Sequence, residues 1–394
     1  MFVKLLLVCA VCVCAQARNP FFETGKRIAA DGFPAETHYV TTSDGYILEI
    51  HRIPHGRRGD STAKRPVVFL MHGLLGASNN YIGLGVNNSL AYNLADEGFD
   101  VWMGNARGNY NSRRHIKLDP DHIIQKHDFF DFTFEEIAII DLPAMIDYAL
   151  DYTGNQQLYY IGHSQGGTVF LVLMALKPEY NRKIAAAHLM AGVGYQKYFP
   201  NGQLKTAARF VDTIYSLSKT LGIVELYPEL LMPSTFNGYR TADYCTGDPK
   251  QKDLCELYGV DHILRSDSSL DSLMPAGASL KQAAHYGQNI RDKRFRRYDH
   301  GSITNLINYR SLNPPQYDLS LIDSDVTMHY SLNDNLLDER DVLEMAADMP
   351  NTKVRKVARE SFEHVDYVVA PDAKELVTDY IIKALKNTPI KKGI

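Results

Sequence analysis

The residues with the clearest chemical signature form one short motif, Gly162-His163-Ser164-Gln165-Gly166. In this G-x-S-x-G pattern the two glycines let a strand turn sharply into a helix and leave the serine hydroxyl exposed. The pattern alone is weak evidence, because glycine and serine are common residues. Its surroundings are more specific, since an apolar stretch typical of a strand, 158–161, precedes it and a helix-compatible stretch, 168–176, follows. We therefore predict that Ser164 is the nucleophile of an acyl-transfer reaction.

A serine hydroxyl needs a base to take its proton and a third group to orient that base. In chains with this motif, the order along the sequence is serine, acid, histidine. Asp334 follows the strand-like run 326–330, and His364 follows the run 353–357. Loops after the carboxyl ends of parallel strands lie at one edge of a sheet, where such folds carry their sites. We predict Asp334 as the acid and His364 as the base.

Other downstream residues stay open as alternatives. The competing carboxylates are Asp338, Asp341 and Asp366, which helix capping or solvation explains as well. The competing histidines are His188, His262, His285, His300 and His329, for which packing or a surface position is the simpler interpretation. None of these histidines combines a late position in the chain with a loop that follows a strand. That combination favours His364.

The tetrahedral intermediate of acyl transfer requires two backbone N–H donors for its oxyanion. We predict Gln165, at the start of the helix after the nucleophile, as one donor and Leu74 as the other. Leu74 lies in the segment His72-Gly73-Leu74-Leu75-Gly76, directly after the apolar run 67–71. An ordinary turn at the end of a strand explains the His-Gly pair equally well. The sequence shows no metal-ligand constellation, and this chemistry requires no metal or organic cofactor.

Short apolar runs alternate with segments of helical spacing along the chain. The runs are 67–71, 99–103, 158–161 and 184–191, and strand-like runs return at 326–330 and 353–357. This alternation predicts an α/β fold with a mainly parallel sheet and helices on both of its faces. Between about 198 and 309 the sequence shows few strand-like runs. Within this stretch, the spacing of the apolar residues from Ala207 to Leu217 places them on one helical face. We predict a core of 18–197 and 310–394, interrupted by a helical cap at 198–309.

The N-terminus has the order of a secretory signal peptide. Lys4 precedes the apolar run 5–15, which is too short to span a bilayer, and Ala15-Gln16-Ala17 supplies a small-residue cleavage site. A buried strand is the alternative. We predict that 1–17 is removed and that the protein is secreted to the extracellular space or gut lumen, or else reaches the lysosomal lumen. No later stretch is long and apolar enough for a transmembrane helix, and the net charge of −4 argues against a nucleic-acid partner.

Two predicted modifications depend on this export. Removing the signal peptide leaves Cys245 and Cys255 of the five cysteines. An even pair in an exported protein predicts a disulfide, whereas two free thiols or part of a metal site are the alternatives. The segment Asn87-Asn88-Ser89 is an acceptor sequence for N-glycosylation, so we predict a glycan at Asn87, although such triplets also occur by chance.

Beyond these features, the sequence resembles the acid-lipase family, which holds gastric and lysosomal lipases and their insect relatives. The resemblance covers about 32–370 and consists of separate motifs in the same order. They are Gly32-Phe33-Pro34-Ala35-Glu36, Thr42-Ser43-Asp44-Gly45-Tyr46, Arg52-Ile53-Pro54, His72-Gly73-Leu74, Gly104-Asn105-Ala106-Arg107-Gly108-Asn109, Ser112-Arg113, His115, Asp141-Leu142-Pro143-Ala144, the motif around Ser164, Pro314-Pro315 and Asn333-Asp334. Two positions depart from the family pattern: Phe129-Phe130 stands where a Phe-Trp pair is usual, and Gly167 where many relatives have threonine.

The resemblance implies an α/β-hydrolase fold and the site residues Ser164, Asp334 and His364 (catalytic) and Leu74 and Gln165 (oxyanion donors). It also implies a cap with a mobile lid and a disulfide, which Cys245 and Cys255 match. We therefore predict a secreted serine lipase that hydrolyses esters of neutral lipids at a lipid–water interface, with no obligate protein partner. The alternatives are a sterol-ester hydrolase, a general carboxylesterase, and a lipid carrier that keeps the fold without chemistry.

Overall fold

The chain has 394 residues, and the computed structural model describes 23–59, 62–226 and 275–390. The predicted signal peptide, 1–17, lies outside the described residues, as do Cys245, Cys255 and His262. Within the described ranges, no helix is long and apolar enough to cross a membrane.

One eight-stranded sheet lies at the centre of the described fold. The strands along the chain are β1 (Glu36–Thr41), β2 (Ile47–Ile53), β3 (Val67–Met71), β4 (Asp100–Met103), β5 (Leu158–His163), β6 (Ile184–Met190), β7 (Glu225–Leu226), β8 (Ala278–Ser279), β9 (Val326–Tyr330) and β10 (Thr352–Lys356). The order across the sheet is β1-β2-β4-β3-β5-β6-β9-β10, while β7 and β8 form a separate antiparallel ribbon. β1 and β4 each pair antiparallel with β2, and the other neighbours are parallel.

The central strands are apolar because both faces of the sheet are covered. Every residue of β3 and of β5 is buried. Since successive side chains of a strand point to opposite faces, this burial requires packing on both sides. The mainly parallel sheet confirms the predicted α/β class.

The helices connect and cover these strands. They are α1 (Thr24–Ala30), α2 (Gly85–Asn88), α3 (Leu90–Asp96), α4 (Gln125–Phe129), α5 (Phe134–Glu136), α6 (Leu142–Thr153), α7 (Gln165–Leu176), α8 (Gly202–Ala208), α9 (Val211–Thr220), α10 (Leu280–Asp292), α11 (Ser302–Tyr309), α12 (Glu339–Asp348), α13 (Asp366–Val369) and α14 (Asp379–Asn387). Two π-helical turns, Ile137–Asp141 and Lys374–Thr378, lead directly into α6 and α14. Helix α7 is buried from Gln165 to Ala175, so it runs through the core behind the nucleophile motif.

The apolar face predicted from Ala207 to Leu217 does not belong to one helix. α8 ends at Ala208 and α9 begins at Val211. Between them the N–H of Phe210 donates to the carbonyl oxygen of Ala207 at 3.0 Å, which is the tighter spacing of a 3₁₀ turn. The break lets Val211 pack against α10, while the side chains of Phe210 and Leu217 stay exposed.

The described parts of the predicted insertion, 198–226 and 275–309, contain α8 to α11 and the β7–β8 ribbon. They meet the rest of the fold near the carboxyl ends of the parallel strands. There the N–H of Ala276 donates to the carbonyl oxygen of Leu75 at 2.7 Å. The insertion therefore contacts the loop that follows β3, and its role as a cap stays a prediction.

Candidate active site

Ser164 lies at the turn between β5 and α7. Its backbone has φ 51° and ψ −113°, a region that non-glycine residues rarely adopt. The flanking glycines permit this turn, because a Cβ on Gly166 would lie 2.0 Å from the carbonyl oxygen of Met71, and one on Gly162 would lie 2.5 Å from the carbonyl carbon of Gly166. The strain is therefore maintained by the contact between the turn and β3.

Ser164, His364 and Asp334 form one chain of hydrogen bonds. The Ser164 Oγ lies 2.7 Å from His364 Nε2, and His364 Nδ1 lies 2.8 Å from Asp334 Oδ2 and 3.0 Å from Oδ1. Since a carboxylate only accepts, Nδ1 carries the imidazole proton and Nε2 is free to accept the serine proton. His364 and Asp334 are both buried, which keeps water away from this pair.

Asp334 is itself held in place by the backbone. Its Oδ1 accepts hydrogen bonds from the N–H groups of Leu336 at 2.8 Å and Leu337 at 2.9 Å. These two donors fix the carboxylate in the loop after β9 with its second oxygen turned toward His364. Such a fixed acceptor can orient a histidine ring without moving during a reaction.

The competing carboxylates have other partners. Asp338 caps α12, because its side chain accepts from the N–H of Arg340. Asp341 accepts from the N–H of Tyr198 at 3.0 Å, and Asp366 accepts from the N–H of Glu363 at 2.9 Å. Asp338 and Asp366 therefore stabilise local backbone segments, whereas Asp341 binds a segment that is remote in sequence.

The competing histidines that the structure describes also lie in packing positions. His188 and His329 form a buried pair, with His188 Nδ1 at 2.9 Å from His329 Nε2. His285 stacks on Phe134 with ring centroids 3.9 Å apart. His300 packs on the Tyr298 ring.

The loop after β3 runs against the nucleophile. A Cβ built on Gly73 would lie 3.1 Å from the Cβ of Ser164. The carbonyl oxygen of Gly73 accepts from His72 Nδ1 at 2.7 Å and from the N–H of Gly76 at 3.0 Å. Because the peptide unit is planar and trans, fixing this carbonyl also fixes the N–H of Leu74 in the opposite direction.

Gln165 is the first residue of α7, so its N–H has no carbonyl one turn earlier to bond. The N–H groups at such a helix start favour negative charge. The structure thus places both predicted donors, Leu74 and Gln165, on segments that adjoin Ser164. Their function as oxyanion donors stays a prediction.

His72 has a supporting function that the sequence did not reveal. Its Nε2 accepts from the N–H of Ala106 at 3.1 Å, so Nδ1 carries the proton that is donated to Gly73. Burial lowers the pKa of His72 to about 4, which keeps the ring neutral and the Nε2 acceptor available. The only sequence signal for this function was a polar ring directly after an apolar strand.

A buried ion network supports the same region. Arg107 contacts Asp141 through Nε at 2.8 Å and Nη2 at 2.7 Å, and Asp44 through Nη1 at 2.6 Å. Burial opposes the charge of Arg107, but the two carboxylates outweigh it and raise the pKa of the guanidinium. These residues supported the family resemblance, and the structure gives them a shared structural function.

Gly167, one of the departures from the family pattern, lies where α7 meets the segment after β6. A Cβ on Gly167 would lie 2.4 Å from the Cα of Gly192. A threonine at this position would therefore require the backbone of one segment to move. In the described ranges, no group of three or more His, Cys, Asp or Glu side chains is arranged to hold a metal ion.

Comparison with known proteins agrees with this fold. Residues 24–85 match the family model described as a partial α/β-hydrolase lipase region, and residues 66–217 match that of the α/β-hydrolase fold. The chain is 36% identical to Lipase 3 of Drosophila melanogaster over 394 residues, which covers 98% of each chain. It is 35% identical to human gastric triacylglycerol lipase over 367 residues, 90% of this chain and 89% of that one.

Among solved structures, a soluble variant of monoglyceride lipase from Saccharomyces cerevisiae superposes with a TM-score of 0.50 at 14% identity, over 90% of this chain and 97% of that one. At this identity the match shows the fold alone. Fold and sequence together define a carboxylic ester hydrolase of the α/β-hydrolase class. The chain belongs to the acid-lipase family, as the resemblance predicted.

Proposed function

We propose that the chain is a secreted lipase that hydrolyses carboxylic esters of neutral lipids through an acyl-enzyme on Ser164. One observation carries the proposal, namely the hydrogen bonds that run from Ser164 Oγ through His364 to Asp334. Such a chain converts a weakly nucleophilic hydroxyl into an attacking group, because the base removes the proton while the carboxylate stabilises the imidazolium.

In the first half of the reaction, the Ser164 oxygen attacks the ester carbonyl carbon as its proton moves to His364 Nε2. The carbonyl oxygen becomes an oxyanion, which the N–H groups of Leu74 and Gln165 bind. His364 then gives its proton to the alcohol oxygen, the carbon–oxygen bond breaks, and the alcohol leaves. The acyl group is now an ester of Ser164.

In the second half, water takes the place of the alcohol. His364 removes a proton from the water as its oxygen attacks the acyl carbon, and the same two amides hold the new oxyanion. The intermediate collapses when His364 returns the proton to the Ser164 oxygen. The fatty acid leaves, and the enzyme is restored without any cofactor.

A lipid substrate is supported by the surface of the predicted cap. Helix α9 and its flanks expose Phe210, Leu217 and Leu221 by 61%, 59% and 68%, and their spacing places them along one side. An exposed apolar stripe of this kind favours contact with a lipid aggregate. The human gastric relative is named for triacylglycerol, and we extend that substrate class to this chain.

Export is supported by the N-terminal sequence, with its cleavage site at Ala15-Gln16-Ala17. We propose that the exported protein carries a Cys245–Cys255 disulfide and a glycan at Asn87, whose side chain is exposed beside the end of α2. Edman sequencing and mass analysis of protein from the culture medium test these points. A mature N-terminus upstream of residue 15, or two alkylatable thiols, would contradict them.

The substrate is tested by a panel of triolein, cholesteryl oleate and a short soluble ester, assayed at acid and neutral pH. We expect triolein hydrolysis by the wild type and a loss of several orders of magnitude in Ser164→Ala. Ser302→Ala, at the exposed start of α11, is the matched control and should keep wild-type turnover. Preference for cholesteryl oleate would indicate that sterol esters are the substrate class. Full activity of Ser164→Ala would overturn the mechanism.

A further inference from the structure

His163 is the last residue of β5 and directly precedes the nucleophile. Its side chain is buried, and its Nε2 lies 2.8 Å from the backbone carbonyl oxygen of His364. A carbonyl oxygen only accepts, so Nε2 must carry the proton and donate it. The residue before the nucleophile therefore holds the backbone of the residue that carries the base.

The His163 ring is also close to two loops. Its Nδ1 lies 3.3 Å from the position that a Cβ would occupy on Gly73, in the loop after β3. The ring centroid also lies 5.4 Å from that of His364 and 6.0 Å from that of Tyr367. The ring therefore lies close to both the loop of the predicted oxyanion donor and the loop of the base.

His163, the last residue of β5, and Ser164, which follows it, thus bind His364 at two different points. Ser164 bonds the imidazole of His364 at 2.7 Å, and His163 bonds its carbonyl oxygen at 2.8 Å. Together with the peptide bond between His163 and Ser164, these contacts close a ring of interactions. Because His364 lies in a loop, such a second attachment restricts the positions that its side chain can reach.

We propose that His163 is a positioning residue, which holds the backbone of His364 so that Nε2 stays within hydrogen-bonding distance of Ser164. This inference rests on the proposed function. It adds a residue that touches neither substrate nor the reacting atoms, and that acts only through the base.

The charge state of His163 suits this task. Burial, and secondarily the nearby His364, lower the pKa of His163 to about 3. The donor therefore stays neutral while His364 takes and releases a proton. A cationic side chain at position 163 would instead repel the imidazolium that forms on His364.

Three substitutions separate hydrogen bonding from packing. The amide nitrogen of glutamine can occupy the place of histidine Nε2, whereas that of asparagine corresponds to Nδ1 and does not reach the carbonyl. We expect His163→Gln to keep kcat for a soluble butyrate ester within about 3-fold of wild type, while His163→Asn and His163→Phe lower it about 10- to 100-fold with little change in KM. His300→Phe, a histidine outside the site, should retain wild-type kinetics.

A spectroscopic signal provides a second readout. We expect the far-downfield proton resonance of the His364–Asp334 hydrogen bond to be sharp in the wild type and His163→Gln, and broadened in His163→Asn, as the base becomes mobile. Unchanged kcat and an unchanged resonance in folded His163→Asn would overturn the inference. So would an equal loss of kcat in the Gln and Asn variants, since that indicates a structural effect of the ring.

The same experiment distinguishes this inference from the proposed function. If the wild type hydrolyses no ester and a fluorophosphonate does not label Ser164, the proposed function fails. If the wild type is active and His163→Asn is equally active, only the positioning role of His163 fails.

Discussion

Replacing Arg107 with methionine is expected to destabilise the fold by about 3–5 kcal/mol at neutral pH, the usual cost of breaking a buried ion pair from one side. The side chain of Arg107 is 1% exposed and that of Asp141 is 0% exposed. Methionine retains much of the apolar stem, so the loss arises mainly from the uncompensated carboxylate of Asp141. Asp44 contributes less, because its side chain is 36% exposed and water can replace the lost partner.

The penalty should depend on pH. Burial already raises the pKa of Asp141, and Arg107 opposes that rise. In Arg107→Met the folded-state pKa of Asp141 therefore lies still further above its unfolded value. The folded variant then binds a proton that the unfolded chain lacks, so the destabilisation is largest at neutral pH and decreases as the pH falls toward the unfolded pKa.

Urea unfolding followed by circular dichroism at about pH 7.5 and about pH 5 measures both effects. Adding Asp141→Asn to Arg107→Met removes the buried charge and should restore part of the free energy of unfolding that Arg107→Met loses. Arg340→Met breaks the exposed pair of Arg340 with Asp338 and should leave the unfolding midpoint unchanged. Wild-type stability of Arg107→Met at pH 7.5, or a double variant no more stable than the single one, would refute this reasoning.

Two further predictions concern the sheet and the nucleophile turn. Burial, with the charges of Arg355 and Lys353, lowers the pKa of His188 to about 3. Below about pH 6.5 the unfolded chain therefore binds a proton at this residue that the folded chain does not bind. The free energy of unfolding consequently decreases as the pH falls. Between about pH 7.5 and pH 4.5, the free energy of unfolding measured in urea titrations should therefore decrease by about 3 kcal/mol less in His188→Asn than in the wild type. Equal decreases in the two proteins would argue against this cause. Gly166→Ala should yield little folded protein, because the new Cβ would lie 2.0 Å from the carbonyl oxygen of Met71. Gly202→Ala, whose Cβ meets nothing within 4 Å, is the control, and similar thermal midpoints for the two alanine variants would contradict the close approach.

The strands were predictable where apolar runs have clear limits. The runs 67–71 and 326–330 coincide with β3 and β9 residue for residue. β5 continues two residues beyond the predicted end, because Gly162 and His163 still pair with β6. The antiparallel pairing of β2 with β4 was not predicted, since the composition of a strand does not specify its neighbour or direction.

The helical insertion was less predictable. Periodicity indicated one apolar face from Ala207 to Leu217, but it did not reveal the break between α8 and α9. After the break Val211 packs against α10, and such tertiary packing leaves no local signature in the sequence.

The reactive side chains of the candidate site were predictable from the sequence, but the residues that hold the backbone around them were not. Asp334 and His364 were chosen because each follows a strand, and the structure brings both within hydrogen-bonding distance of one another. Their catalytic roles stay predictions. His72 and His163 bind backbone carbonyl oxygens. Because every residue has a backbone carbonyl, such a contact does not depend on the type of the residue that supplies the oxygen. Sequence patterns therefore could not reveal these two contacts.

Labelling with a fluorophosphonate tests the central claim most directly, because this reagent reacts much faster with a serine that a neighbouring base has activated than with other hydroxyl groups. We expect one adduct per molecule, on the peptide that contains Ser164, with loss of ester hydrolysis in proportion to labelling. Ser164→Ala should remain unlabelled, and His364→Gln should react far more slowly. An active, folded wild type that carries no adduct, or carries it on another residue, would contradict the account.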